Sequence, residues 1–111
     1  MDVKLRSMRT AEFSERRRSG RADGVTVHAR TALAGDEVVL GLVTPKRIGT
    51  AVARNRARRR TRALFAEWSR DGAVPPGSYV VVFTGTPPTE PDEFAEMLRS
   101  ALRRALRRRG R

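Results

Sequence analysis

The chain lacks cysteine altogether, has one histidine, and has only two lysines among its 24 basic residues. Without cysteine there is no disulfide and no cysteine-ligated zinc. His28 alone cannot make a metal site. No apolar run approaches the roughly 18 residues of a membrane span. The first ten residues, MDVKLRSMRT, lack the apolar core of a signal peptide. A soluble, cytoplasmic protein with no membrane role is the expectation. Internal repeats and a glycine-rich phosphate loop are missing too, since Gly41 and Gly49 stand isolated.

Acid is also scarce. Asp and Glu number 12 against 24 Lys and Arg, a formal net charge of +12 over 111 residues. That length suits one domain with one modest core. The cations are almost all arginine, with Lys4 and Lys46 the exceptions. Arginine's planar fork matches phosphate and stacks on bases, so the bias favours close contact with nucleic acid over diffuse attraction. The densest stretch is ARNRARRRTR at 53–62, carrying Arg54, Arg56, Arg58, Arg59, Arg60 and Arg62, with no acid between Arg47 and Glu67. Like charges one turn apart destabilise a helix by a few tenths of a kcal/mol per pair. Such a helix calls for a polyanion.

The pattern along the chain predicts an α-β-β-α-β-α order with room for a short extra strand. Residues 10–19 read as a helix capped by Thr10, anchored by Phe13 and ended by Gly20. Residues 25–29 alternate as a strand that buries Val25, Val27 and Ala29 and turns His28 to the other face. Ala34-Gly35-Asp36 reads as a turn, and 38–43 as a second strand forming a hairpin with the first. Thr50 caps a helix over 51–70. Its apolar stripe is Ala53, Ala57, Thr61, Leu64, Phe65 and Trp68, and its opposite surface is a comb of Arg54, Arg58 and Arg62 with Arg56, Arg59 and Arg60 beside it. Residues 78–84 are a continuous apolar strand, expected to be buried on both faces beside a parallel neighbour after a strand–helix–strand crossover. Thr89 is expected to cap the last helix, with Asp92 completing a capping box. Phe94, Met97, Leu98, Ala101, Leu102, Ala105 and Leu106 form that helix's apolar stripe. Acid near its start and Arg103 onward near its end suit the macrodipole. Residues 1–9 read as a mobile tail.

A protein-borne catalytic site finds no support. His28 has no nucleophile or orienter at a useful spacing, and Asp92, Glu93 and Glu96 read as a solvated capping face. A protein-only nuclease needs clustered carboxylates near the arginines, and Glu67 and Asp71 stand alone there. A DNA-reading regulator needs a second helix at helix-turn-helix spacing, which is missing. A ribosomal or RNA-assembly protein with a basic helix is the alternative, yet a generic basic helix has no reason to hold Gly49 and Asn55 where they are.

The run from Gly41 to Arg62, GLVTPKRIGTAVARNRARRRTR, resembles the signature of the bacterial ribonuclease P protein subunit. There a strand leads through a basic, glycine-containing loop into a helix bearing Arg-Asn-Arg. The matching positions are Lys46, Arg47, Gly49, Ala51, Val52, Arg54, Asn55, Arg56, Arg58, Arg59 and Arg62. The order of the flanking elements agrees over nearly the whole chain. The resemblance implies a single α+β domain over 1–111, an α-β-β-α-β-α sandwich of the ribosomal protein S5 domain 2-like type, with about four strands and a left-handed crossover. It implies membership of an endoribonuclease, a ribonucleoprotein that removes the 5′ leader from precursor tRNA. The catalytic site then lies in the RNA, with Mg2+ bound mainly there and no catalytic or metal-binding side chain in the protein. Partners are the catalytic RNA and precursor tRNA, with no obligate protein partner. By resemblance Lys46, Arg47, Arg54, Asn55, Arg56, Arg58, Arg59 and Arg62 contact RNA, and Phe13, Arg17 and His28 lie in the leader-binding cleft. Arg17 and His28 stand where the family usually has aromatics, and Ala57 where it commonly has a branched aliphatic.

Overall fold

The fold was described from a computed structural model, which covers residues 4–32 and 35–107. Strands β1 (Lys4–Ser7), β2 (Arg18–Ala22), β3 (Val25–Thr31), β4 (Glu37–Val43) and β5 (Gly77–Phe83) form one sheet in the order β1-β4-β5-β3-β2. Helices α1 (Ala51–Arg70) and α2 (Pro91–Arg107) both pack on one face of it. Short 3-10 turns occupy Thr10–Ser14 and Lys46–Ile48.

The strand read as apolar on both faces takes the centre. β5 runs parallel to β4 and antiparallel to β3, and Tyr79, Val80, Val81 and Phe83 are buried. The expected crossover is there, since β4, α1 and β5 form a strand–helix–strand unit with adjacent parallel strands. The expected hairpin between 25–29 and 38–43 is not. β5 lies between those strands, and β3 pairs instead with β2 across the tight Asp23-Gly24 connection. A strand with two apolar faces gains most from a neighbour on each side, and that outweighs the proximity of β3 and β4 in sequence. Of the turn at 34–36, Ala34 lies outside the described residues.

The core is a single cluster between sheet and helices. Val25, Val27, Ala29, Val38, Leu40, Tyr79, Val81 and Phe83 meet Ala57, Phe65 and Trp68 of α1 and Phe94, Leu98, Ala101, Leu102 and Ala105 of α2. The Phe65 ring stands edge-on to Tyr79 at 5.6 Å and tilts against Trp68 at 6.0 Å. Tyr79 donates its hydroxyl to the Pro75 carbonyl, and burial pushes its ionisation up.

Helix α1 starts where the sequence says, with the Ala53 amide donating to Thr50 Oγ1 at 3.1 Å. Helix α2 does not start at Thr89. Pro91 opens it and the Glu90 carboxylate accepts from the Glu93 amide at 2.9 Å, while the Thr89 carbonyl serves Arg60. Proline is well suited to the first helical position, because its missing N–H has no partner there anyway.

The N-terminal third departs most from expectation. Residues 10–19 are not an α-helix, because beyond Phe13 the stretch has no apolar periodicity and three consecutive arginines oppose it. One 3-10 turn forms instead, followed by β2, with Gly20 inside the strand rather than at a helix end. Lys4–Ser7, read as part of a tail, pairs with Glu37–Leu40 as a parallel edge strand, which makes five strands rather than four.

A charge cluster ties this edge down. Arg6 meets Glu12 at 2.7 Å and Glu37 at 3.2 Å, and the Arg9 amide also donates to Glu12. The hydrogen bond from Arg6, and after it that from Arg9, lowers the Glu12 carboxyl to about 2, and the hydrogen bonds to Glu12 and then Glu37 raise the Arg6 pKa. A depressed carboxyl pKa stabilises the fold above its ordinary value of 4.5 and loses that contribution as pH falls through about 2. A carboxyl titration by NMR should give Glu12 a midpoint near 2, moving back toward 4.5 in Arg6→Ala. An unmoved midpoint in the variant would reject the Arg6 contact as its cause.

Candidate RNA-binding surfaces

Two surfaces carry the residues singled out in the sequence. One is α1 with the turn before it. β4 ends at Val43, and the Lys46–Ile48 turn buries Ile48 and leaves Lys46 and Arg47 exposed. Gly49 follows at φ 154°, a conformation that strains a side chain, and brings the chain round to the Thr50 cap. Asn55, Arg59 and Arg62 are exposed, and Arg56 is half-buried beside Arg60 and the loop before α2.

The arginines do not form one comb. They surround the helix. Arg58 and Arg62 flank the buried stripe on one side, and Arg56 and Arg60 on the other. Arg58 donates to Thr44 Oγ1 at 3.0 Å; Arg60 donates to the Thr89 carbonyl at 2.7 Å and sits 5.8 Å from the centre of the Phe94 ring. Arg54 corrects the expectation most clearly. Its place one turn before Ala57 and two before Thr61 puts it on the buried stripe, and its Nε is buried with no acceptor among the described residues. A buried donor left unpaired costs about 1–3 kcal/mol. No ion pair among the described residues involves α1, so its positive charge is not compensated within the fold.

The other surface is the open face of the sheet. One row crosses it in register: Gly41 on β4, Val80 on β5, His28 on β3 and Ser19 on β2. The Phe13 ring lies over Gly41, where an added Cβ would stand 2.7 Å from Phe13 Cζ and 3.0 Å from Met8 Sδ. Phe13 and His28 therefore flank Val80 at two strand spacings, about 10 Å across. Phe13 is 41% exposed. The His28 Nδ1 lies 2.8 Å from Ser19 Oγ. Burial, and after it the nearby Arg17 charge, lowers the His28 pKa and so favours the neutral imidazole.

Arg17 reaches the same face but is spent internally. Its Nε donates to Ser78 Oγ, and its terminal nitrogens donate to the carbonyls of Glu12, Phe13 and Glu15 and to Met8 Sδ. All five N–H donors are used, and the side chain is 4% exposed. Arg17 closes the orphan carbonyls of the 3-10 turn and pins the Phe13 segment to β5. Sequence reasoning placed it among residues that touch RNA; the geometry makes it a brace for Phe13. The count of carbonyls left open by so short a turn was the only available signal.

Gly41 holds that arrangement open. In Gly41→Val the branched side chain takes the place of the Phe13 ring, which swings off the sheet while the strands persist. The expected cost is about 1–2 kcal/mol in thermal unfolding with an unchanged far-UV spectrum. NMR contacts between the Phe13 ring and residue 41 that survive the substitution would contradict it.

A two-layer α+β domain, with an arginine helix that forms no ion pair among the described residues and with Phe13 and His28 on the sheet face away from the helices, has the architecture and charge of an RNA-binding protein. Comparison with known proteins makes this specific. A family model described as Ribonuclease P matches residues 4–109. The Ribonuclease P protein component of Kocuria rhizophila is 43% identical over 108 residues, 91% of this chain and 92% of that protein. That of Beutenbergia cavernae is 38% identical over 97 residues, 85% and 79% respectively. Among solved structures, a mutant RNase P protein of Staphylococcus aureus superposes with a TM-score of 0.72 at 19% identity, covering 88% of this chain and 85% of its own. The chain belongs to the ribonuclease P protein family. An RNA partner within a ribonucleoprotein follows from that membership.

Proposed function

We propose that this chain binds the catalytic RNA of ribonuclease P through α1 and the Lys46–Gly49 turn, and holds the single-stranded 5′ leader of precursor tRNA on the open sheet face. Cleavage takes place at the RNA, in the cytoplasm. The observation that carries this reading is the uncompensated arginine helix: six arginines on α1 between 54 and 62, with only hydroxyl and carbonyl partners for two of them. Phosphate is the acceptor such a surface lacks, and Asn55 adds a group able to hydrogen-bond a sugar or base edge. Phe13, exposed on this face, and the half-buried His28 give an unpaired base two rings to stack on, as RNA-binding sheets use aromatic rings.

Among the described residues no three His, Cys, Asp or Glu side chains gather where a metal would sit. Magnesium, in this reading, belongs to the RNA, and the protein's share is to lower the repulsion between RNA strands brought together around it. No protein side chain moves a proton or attacks phosphorus.

Reconstitution with the RNA subunit of the same organism tests this. At low magnesium, added protein should restore 5′ leader cleavage, and protein alone should cleave nothing. Neutralising about six phosphates gives a slope of log affinity against log salt of about −4 to −5. A slope near −1 would reject the phosphate clamp.

A further inference from the structure

At the far end of the sheet from the Lys46 turn, the start of β2, the end of β3 and the end of α2 enclose a pocket of about 860 Å³. Arg16, Arg17, Arg18 and Arg30 line it with Thr31 and Leu106, and no carboxylate contributes. Arg16 and Arg30 are exposed, and their side chains make no ion pair or hydrogen bond among the described residues. Arg17 also lines it, with every donor already used; burial, opposed by Glu15 and aided by the Arg30 charge, lowers its pKa. Four arginines therefore line one concavity. Glu15, the nearest acid in sequence, pairs with Arg17 at 3.5 Å and lines, with Glu12, Asp36 and Glu37, a neighbouring pocket that shares Arg30 and Thr31 with this one.

We propose that this pocket is a second phosphate site, in which Arg16 and Arg30 hold the backbone of the leader beyond the bases stacked between Phe13 and His28. This rests on the leader reading above and extends it to a longer track. Continuity favours the leader over other RNA. His28 and Arg30 alternate on the same face of β3, so a strand leaving the His28 position meets Arg30 next. Concavity favours a single strand, because a recess of this size admits a phosphodiester chain and not the broad, shallow minor groove of an RNA duplex. Thr31 offers a hydroxyl to phosphate, and Leu106 bounds the pocket on the helix side.

The test uses the reconstituted holoenzyme and precursor tRNAs with leaders of about four and about twelve nucleotides, the range of site sizes in single-strand-binding domains, together with leaderless tRNA. In Arg16→Gln, Arg30→Gln, two exposed positions, the melting temperature should be unchanged. Affinity for the long leader should fall roughly tenfold and its salt slope flatten by about 1.4, the contribution of two single-strand phosphates. Short-leader and leaderless affinity should hold. Equal losses on all three substrates would overturn the proposal, since the arginines would then serve the RNA subunit or the general field. No loss on any, with wild type still preferring the long leader, would overturn it while leaving the leader reading intact. Wild type that binds all three alike would overturn both.

Discussion

Replacing Gly20 with valine is expected to unfold or nearly unfold the protein. A Cβ at this position would stand 2.2 Å from the Ala101 carbonyl oxygen and 2.2 Å from the Ala105 amide nitrogen. Both are backbone atoms of α2, so no side-chain rotation relieves the clash. β2 would have to lift from the helix, exposing Leu102 and Ala105 and breaking its pairing with β3. Overpacking of this kind costs about 3 kcal/mol or more, against about 5–15 kcal/mol for a whole domain. In a domain of this size that lowers the melting temperature by about 12 °C or more. Even Gly20→Ala should show most of the effect, because the first carbon makes the contact. A Gly20→Ala protein with the wild-type denaturation midpoint would mean that strand and helix are further apart than described.

The second large effect is expected from Arg54→Met with Arg56→Gln. Here stability and RNA affinity should move independently. Methionine keeps the aliphatic bulk of Arg54 against the buried stripe and removes the unpaired Nε, so thermal stability should hold or rise. Each arginine lost to phosphate removes a charge-assisted hydrogen bond of about 1.5–3 kcal/mol. The pair should therefore weaken RNA-subunit binding by about a hundredfold, read by filter binding at fixed salt. A stability loss without loss of affinity would make Arg54 a structural residue and move the RNA contact elsewhere on the helix.

The two residues also show what was legible beforehand. Helix α1 was readable to its ends, because Ala57, Thr61, Phe65 and Trp68 recur at helical spacing and Thr50 is a good cap. The azimuth of Arg54 was readable from the same spacing, yet the density of arginine made a single outward comb the simpler picture. Gly20 was visible as a glycine but not as a contact, since nothing local says that a helix begun seventy residues later will lie against it. Strand pairing failed for the same reason: β3 and β4 look like partners until a more apolar strand competes for both. β1 has four residues and no alternation, and it exists because the β4 edge was free to accept it. Phe13 and His28 were picked out by resemblance alone. That they share a row with Val80 and Gly41 is a matter of register, which no local pattern encodes. Arg17 was named for the cleft by resemblance, and that its donors go to Ser78, Met8 and three carbonyls was not legible, because donor counting requires knowing which carbonyls are left open.

The central position of β5 has a consequence for the protein's birth. Its residues are made after every other strand and after α1, so β3 and β4 wait on the ribosome without the neighbour that joins them. Folding as a unit is delayed until residue 83 has cleared the exit tunnel, and non-local pairing of this kind is slow. The most cationic segment of the chain, 53–62, is made before β5 and so before the sheet it packs on is complete. A nascent chain of this design gains from meeting its own RNA early, because a polyanion that neutralises α1 also frees it to fold.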